Sequence, residues 1–516
     1  MKRLFRNTVS PGDRLVITQY LWDAERDLKE CQAEINRLKM AIITLESRRE
    51  GLKKSMERYR SLLSPIHKMP PEILLNIFTF ACEQNEMYPS RIPPAASISM
   101  VCGRWRDVAF AAPSLWSAIS IEFSYWKSNE TKLARMTRTF LERSKNSPLK
   151  LELDFSHAIG SVEPVLDTLN ALVQHSNRWF DLELRVLTSI IRHPVFTPIR
   201  GCLPLLKWLY FNEVPIPEST PETVDDWIDK LNIFEFAPSL SHLAFKPDFH
   251  VVDFVLPLEQ VKALKLHDSY AINSLEFLPL CPNVQRLELF RVGGGDSYMG
   301  PIVTCNIKDL VIEAEAQDDV ACILRHSTFP QLASMSISGL KSGLSEDWTR
   351  WDELEAPLET FFRRSSCTIT TLQLQCIPMV DEQAIALLNR MPSLESLHIH
   401  EMTRDCDFSN KIVTSLFLQT LLVDHAGSLE TSPFLPRLAH LTLIVHCFQL
   451  DTMALLKAIT SRWLTVRGFD TGVSSLKSVS IRLLGESSDL RSDLLALDGF
   501  KDDGLRVSVS FSPCTT

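Results

Sequence analysis

Three clusters in this sequence hold residue types that chemistry uses. His398-x-His400-Glu401 offers two imidazoles and a carboxylate. On a strand both histidines would share one face, as two ligands of a zinc ion do. Zinc wants at least three protein ligands, and no third is placed by sequence, so the cluster is not read as a metal site. Gly293-Gly294-Gly295-Asp296 is glycine-rich but lacks the strand–loop–helix setting and the lysine of a phosphate loop, and reads as an insertion. The acid pairs Asp225-Asp226 and Asp502-Asp503 lie in polar segments and read as solvated. No Gly-x-Ser-x-Gly nucleophile elbow occurs. The 12 cysteines form no Cys-x-x-Cys pair, and those such as Cys322 in Val-Ala-Cys-Ile-Leu read as small buried hydrophobes. No catalytic residue, metal or cofactor is nominated, and the chain is read as a binding protein and not an enzyme.

Composition agrees. The 516 residues carry a net charge of −9, which argues against a dedicated nucleic-acid binder. No apolar run approaches the ~18 residues of a membrane span. The first residues, MKRLFRNTVSPGDR, lack the apolar stretch of a secretory signal, so a cytoplasmic or nuclear location is expected. Charge is uneven. Residues 1–68 hold 15 Lys and Arg against 9 Asp and Glu, and the remainder is acidic. That segment is either a solvated helix with surplus cations or a basic interaction arm.

The segment carries a heptad. With a positions at 21, 28, 35, 42, 49, 56 and 63 the residues are Leu, Leu, Ile, Ile, Arg, Met and Leu. The d positions 24, 31, 38, 45, 52 and 59 are Ala, Cys, Leu, Leu, Leu and Tyr. Only Arg49 breaks the seam, and such a seam needs a partner to cover it. Pro65 ends the helix, because the residue before a proline is pushed out of the α region. Self-association through residues 21–63 is one expectation, and packing on another chain is the second. In a parallel pair Glu34 faces Lys39, but Arg48 faces Lys53, so the flanking charges leave the partner open.

After Pro65, Pro70 and Pro71 suit a helix start, and Ile73, Leu74, Ile77, Phe78 and Ala81 form one apolar face. A loop over 84–94 holds three prolines. One further helix is predicted over AASISMVCGRWRDVAF, and Pro113 ends it. A domain this small has more large apolar residues than its interior uses. The segment resembles the F-box. It has Met69-Pro70-Pro71-Glu72-Ile73-Leu74, then Ile77-Phe78, then Val101-Cys102-Gly103-Arg104-Trp105-Arg106, then Leu115-Trp116. Met69 replaces the usual leucine, the inter-helix loop is long, and Gly103 stands where a basic residue is common. The resemblance implies binding to a Skp-family adaptor and through it to a cullin. It assigns Pro70, Ile73, Leu74, Ile77, Val101, Cys102, Trp105 and Trp116 to forming or supporting that surface. Which of them fill the core instead is not separable by sequence.

Beyond it, the phrase apolar-x-x-apolar-x-apolar recurs. It runs from Pro148-Leu151-Leu153 and Trp179-Leu182-Leu184, through Leu206-Leu209-Phe211 and Leu240-Leu243-Phe245, to Leu418-Leu421-Val423, Leu438-Leu441-Leu443 and Leu476-Val479-Ile481. Most steps are 20–25 residues, with longer ones of 34, 37 and 38, which fits a degenerate leucine-rich array. The asparagine that closes regular repeats is absent, so the backbone must be closed in another way. The alternative is an ordinary mixed α/β fold with parallel strands.

The expected fold class is therefore an α/β solenoid preceded by a small all-α F-box domain and a long heptad helix. The expected divisions are a flexible start (1–14), coiled-coil helix (15–63), F-box (64–122), linking helix (123–147), leucine-rich-like domain (148–511) and tail (512–516). In such an array Trp208, Tyr210, His242, Arg286, His398 and His440 face the concave side and are the candidates for holding a protein substrate. The order of coil, F-box and leucine-rich tail is similar to the expanded F-box families of mushroom-forming fungi. It implies a substrate-recognition subunit of an SCF-type ubiquitin ligase, with no nucleic-acid or membrane partner. The alternative is a non-ligase scaffold.

Overall fold

The structure is a computed structural model. It describes residues 9–126, 129–156, 162–186, 188–213, 231–246, 255–294, 300–339, 351–401, 411–423, 433–447, 450–463, 473–485, 494–501 and 504–512. The chain divides into two compact units between Ile77 and Phe78.

The first unit is dominated by α1 (Pro11–Leu62), 52 residues long. It starts earlier than the flexible 1–14 expected from sequence. Ser10 and Asp13 form a reciprocal cap. The Asp13 amide donates to Ser10 Oγ (3.2 Å), and the Ser10 amide donates to Asp13 Oδ2 (3.3 Å). Pro11 sits where its missing N–H costs nothing. No residue of α1 is buried. The apolar seam lies open, with Leu28 70% and Leu45 64% exposed. After Pro65 a single 3₁₀ turn (Pro65–Lys68) leads to α2 (Pro71–Ala81), whose last residues open the second unit.

The second unit is built on parallel strands. In chain order they are β1 (Glu86–Met87), β2 (Ala118–Glu122), β3 (Leu149–Asp154), β4 (Trp179–Val186), β5 (Trp208–Glu213), β6 (His242–Phe245), β7 (Ala263–His267), β8 (Arg286–Val292), β9 (Val303–Thr304), β10 (Asp309–Ala314), β11 (Ser327–Thr328), β12 (Ser334–Gly339), β13 (Thr371–Gln375), β14 (Ser396–His400), β15 (His440–His446), β16 (Ser478–Leu484) and β17 (Arg506–Ser512). All except β9 and β11, which pair with each other, join one 15-stranded sheet in sequence order.

The phrase sets the register. Its second apolar position forms one continuous row, from Ile119 through Leu151, Leu182, Leu209, Leu243, Leu264, Leu287, Leu310, Met335, Leu372, Leu397 and Leu441 to Val479 and Val507. A row from Ile121 to Val509 runs beside it, and the members from 119 to 481 in both rows are buried. Helices between strands bury their own stripes, such as Val320 and Leu324 in Gln317–His326. Each buried leucine contributes roughly 1.5–3 kcal/mol.

Several expectations need correction. Leu418-Leu421-Val423 is not a strand. Leu418 lies in the helix Ser415–Thr420, capped by Thr414 Oγ1 on the Phe417 amide at 3.3 Å. Apolar spacings of three suit helix and phrase alike, and the Thr414 cap decides. Besides the two-residue strands β1, β9 and β11, two strands escaped the pattern. β17 has Gly504, at φ +99°, in the first apolar position. In β2 the phrase is Trp116-Ile119-Ile121, so the last residue of the 69–116 motif opens the first phrase. The sheet thus begins before residue 148. The linking segment 123–147 is a 3₁₀ turn (Phe123–Trp126) and then a helix (Glu130–Arg143). Gly294 is a structural glycine. Its φ is +67°, and a Cβ there would lie 2.5 Å from the Tyr270 ring. Gly295, Asp296, Asp225, Asp226, Asp502 and Asp503 lie outside the described residues.

Closure without asparagine has two parts. The amide just past a strand donates to the next strand's carbonyl, as in Asp268 N–H to Phe290 O (2.9 Å), Cys376 N–H to His400 O (2.7 Å) and Cys447 N–H to Leu484 O (3.0 Å). Arginines then satisfy carbonyls of the preceding helical segment. Arg178 reaches Ser147 O (2.9 Å) and Ser144 Oγ (2.6 Å), and Arg364 reaches Leu324 O (2.7 Å). Arg462, 2% exposed, donates to Leu421 O (2.6 Å) and Leu435 O (2.9 Å), and also to Phe434 O. Burial lowers its pKa to about 10, which keeps it charged at neutral pH.

Replacing Arg462 with leucine strands these carbonyls and should cost about 3 kcal/mol. Hydrogen exchange should show the loss in amides near 415–463, with those of β3–β5 unchanged.

Candidate functional site

Two surfaces carry the residues singled out by sequence. The first lies in the motif segment. The 84–94 loop is not free chain: β1 pairs with Ser120 and Ile121 of β2. Asn85, fully buried, holds it. Its amide nitrogen donates to Leu115 O and Ala118 O, both at 2.9 Å, and its side-chain oxygen accepts from the Ala95 amide at 2.9 Å. The single second helix is two, α3 (Pro94–Val101) and α4 (Gly103–Ala111). Cys102 interrupts it in extended conformation (φ −158°, ψ 171°), and its sulfur accepts from the Trp105 amide at 3.5 Å.

Burial separates the eight motif residues. Leu74 (1%) and Trp116 (0%) are core. Trp116 Nε1 donates to Ala109 O at 2.8 Å, and its ring meets Phe140 edge-on at 5.0 Å. Cys102 and Trp105 are half-buried, with Trp105 packed on Phe78 at 4.8 Å between centroids. Pro70, Ile73, Ile77 and Val101 are exposed. On α2, Ile73, Ile77 and Phe80 fall at i, i+4 and i+7, one open apolar stripe. Met100 and Val101 are bare at the end of α3. Sequence reasoning had not named Phe80 or Met100, although helical spacing was enough to find Phe80.

The second surface is the outward face of the sheet. A groove of about 630 Å³ runs over β4–β8. It gathers Trp208, Tyr210, His242 and Arg286 from the predicted set, together with Asp181, Glu183, Lys265, His267 and Glu288. Trp208 is stacked on His242, with centroids 3.4 Å apart, and remains 42% exposed. Tyr210 meets His267 edge-on at 5.6 Å, and His267 stacks on Phe290 at 5.3 Å. Lys265 Nζ lies 4.6 Å from the Phe290 ring centroid. The walls differ in sign. On β4, Asp181 and Glu183 are raised above the usual carboxylate range by burial, against the pull of Lys150 and Arg185. On the far side lie Lys265 and Arg286, the latter bonded to Glu288 at 2.6 Å. Asp181 and Glu183 were absent from the sequence-based site. They alternate with Leu182 and Leu184, a signal the phrase did contain.

Two predicted residues lie elsewhere. His398 is half-buried on β14, with Nε2 unpartnered among the described residues and its pKa lowered by burial. His440 bonds Ser478 Oγ through Nδ1 (2.7 Å) in a second cavity of about 790 Å³, with Arg437, Trp463, Lys477 and Arg506. That cavity is larger, but the β4–β8 groove has the stacked aromatic floor that anchors binding. From β12 to β15 the outward positions carry no Asp, Glu, Lys or Arg, only Ser, Thr, Gln, His and Ile. Among the described residues no three His, Cys, Asp or Glu converge as a metal site. Glu401, 7% exposed, has its own use: Oε1 accepts from the Val413 amide at 3.0 Å. No helix of the described residues is long and apolar enough to cross a membrane.

A comparison with family profiles matches residues 66–122 to one described as F-box-like. The chain therefore carries an F-box-like domain, followed by a parallel sheet of many strands. No curated protein matches the chain.

Burial, reinforced by Lys265, lowers the His267 pKa to about 4. The folded ring thus stays neutral where an unfolded one, near 6.5, takes a proton. Its contribution to stability is complete above about pH 6.5 and is lost as pH falls toward 4. An NMR titration of His267 should show a midpoint near 4, and a midpoint near 6.5 would contradict the packing described.

Proposed function

We propose that this chain is the substrate-recognition subunit of an SCF-type cullin–RING ubiquitin ligase. In this reading the F-box-like domain docks a Skp-family adaptor, and the outward groove over β4–β8 holds a protein target. α1 adds self-association. The observation that carries the reading is the F-box-like match over 66–122, in a segment whose Ile73, Ile77 and Val101 are left bare. Large apolar side chains held out on helices mark a protein contact. Leu74 and Trp116 support that surface from the core, and Cys102 and Trp105 hold the α3–α4 corner.

The receptor performs no bond chemistry of its own. It raises the local concentration of target lysines beside a charged ubiquitin carrier. The groove suits an extended peptide: its floor offers stacked rings, neutral imidazoles and opposed charged walls. The alternative, a scaffold outside any ligase, keeps the helix and the sheet face but has no use for adaptor binding.

The test is binding of the purified full chain to a Skp-family adaptor. Val101→Asp and Ile77→Asp should each weaken it by about 100-fold, with the melting curve unchanged, since both positions are exposed. A folded wild-type chain that ignores the adaptor would favour the scaffold. Trp208→Ala with Tyr210→Ala should abolish target capture and leave adaptor affinity intact.

A further inference from the structure

We propose that α1 pairs with α1 of a second copy of this chain in antiparallel orientation, with Ile42 of each helix over Leu45 of the other. The inference rests on the self-association reading above and adds its direction and register.

The seam must be covered. Leu21, Leu28, Ile35, Leu38, Ile42, Leu45 and Leu52 are each at least 45% exposed, on a helix with no buried residue. Charge decides between the two orientations. A parallel pair sets a against a and g against the following e. Arg49 then meets Arg49 of the second copy inside the seam, and Arg48 meets Lys53. Its one attraction is Glu34 with Lys39. Yet Glu34 already holds Arg37 of its own helix through two hydrogen bonds, at 2.8 and 2.9 Å.

An antiparallel pair sets a against d and e against e. With Ile42 over Leu45, Ile35 meets Leu52 and Arg49 meets Leu38, where its stem lies on an apolar neighbour and its head reaches water. At the e positions Glu25 meets Arg60 and Lys39 meets Glu46, each twice by symmetry, and no like charges face each other. Among the described residues these four side chains take no part in the ion pairs of α1. The charges this register uses are therefore among those the isolated helix leaves unspent. Sliding by one heptad puts Lys39 against Lys39 in one direction and Glu46 against Glu46 in the other. The two α1 C-termini would stand ~55 Å apart, at opposite ends of the rod.

Sedimentation equilibrium on the full-length chain tests this, with circular dichroism to confirm helicity. Lys39→Glu should weaken the dimer about fivefold to tenfold, and adding Glu46→Lys should restore it. In a parallel pair the carboxylate introduced at 39 still faces Glu34, so the second change restores nothing. Met56→Cys should oxidise to a covalent dimer through Cys31 of the second copy, and Cys31→Ser should abolish that product. A double swap that fails to restore the dimer would overturn the orientation. So would a wild-type disulfide between the two Cys31 residues. A chain that stays monomeric at about 100 µM would overturn self-association itself.

Discussion

A parallel strand cannot satisfy its backbone with the strand next to it in sequence through a tight turn. It must wait for the chain to cross over and return. Everything in the second unit follows from that. Each strand presents its members of the apolar rows and one set of open hydrogen-bonding groups, and both are closed only by the next strand. The continuous row from Ile119 to Val507 is the physical form of this dependence. The post-strand amides, which reach forward to the next strand, and the arginines at 178, 364 and 462, which reach back to the preceding segment, extend it beyond the sheet.

β2, the first strand of the buried rows, has the hardest problem, because among the described residues no earlier strand of those rows precedes it. Here the F-box-like segment serves. β1 supplies a short edge, Asn85 ties that edge to Leu115 and Ala118, and Trp116 fills the place that Trp179 fills two strands later. Both indoles donate to a carbonyl seven residues back, Ala109 and Leu172. The segment that carries the F-box-like match thus also starts the sheet. A substitution at Trp116 would damage both, which is why the exposed residues Ile77 and Val101 are the cleaner probes.

Most of the architecture was legible because period is a strong signal. Alternation around Leu287, Leu310 or Leu397 fixes strand, face and register together. What failed did so for local reasons. Leu418 and Leu421 satisfy helix and phrase equally, and one threonine cap decides. Gly504 hides β17 by leaving the first apolar position without a side chain. Asn85 was invisible, because nothing in a polar, proline-rich loop announces a buried amide with four backbone partners. For the site, sequence placed Trp208, Tyr210, His242 and Arg286 on one face, and the sheet joins them. His398 and His440 share that face but sit several strands away, a distance that alternation cannot measure. Among the motif residues only burial distinguishes Leu74 from Ile73, since both fit the same helix.

The outward face is not uniform along its length. Over β3–β8 it carries Glu152, Asp154, Asp181, Glu183, Arg185, Lys265, Arg286 and Glu288, while from β12 to β15 its outward positions carry no Asp, Glu, Lys or Arg. These halves answer differently to ionic strength. Contacts with the first weaken as salt shortens the screening length to about 8 Å at physiological concentration. Hydrogen bonds to the serine, threonine and glutamine rows of the second do not. A partner lying along the whole face would therefore loosen from one end as salt rises, and the salt dependence of its affinity would report how many strands it covers.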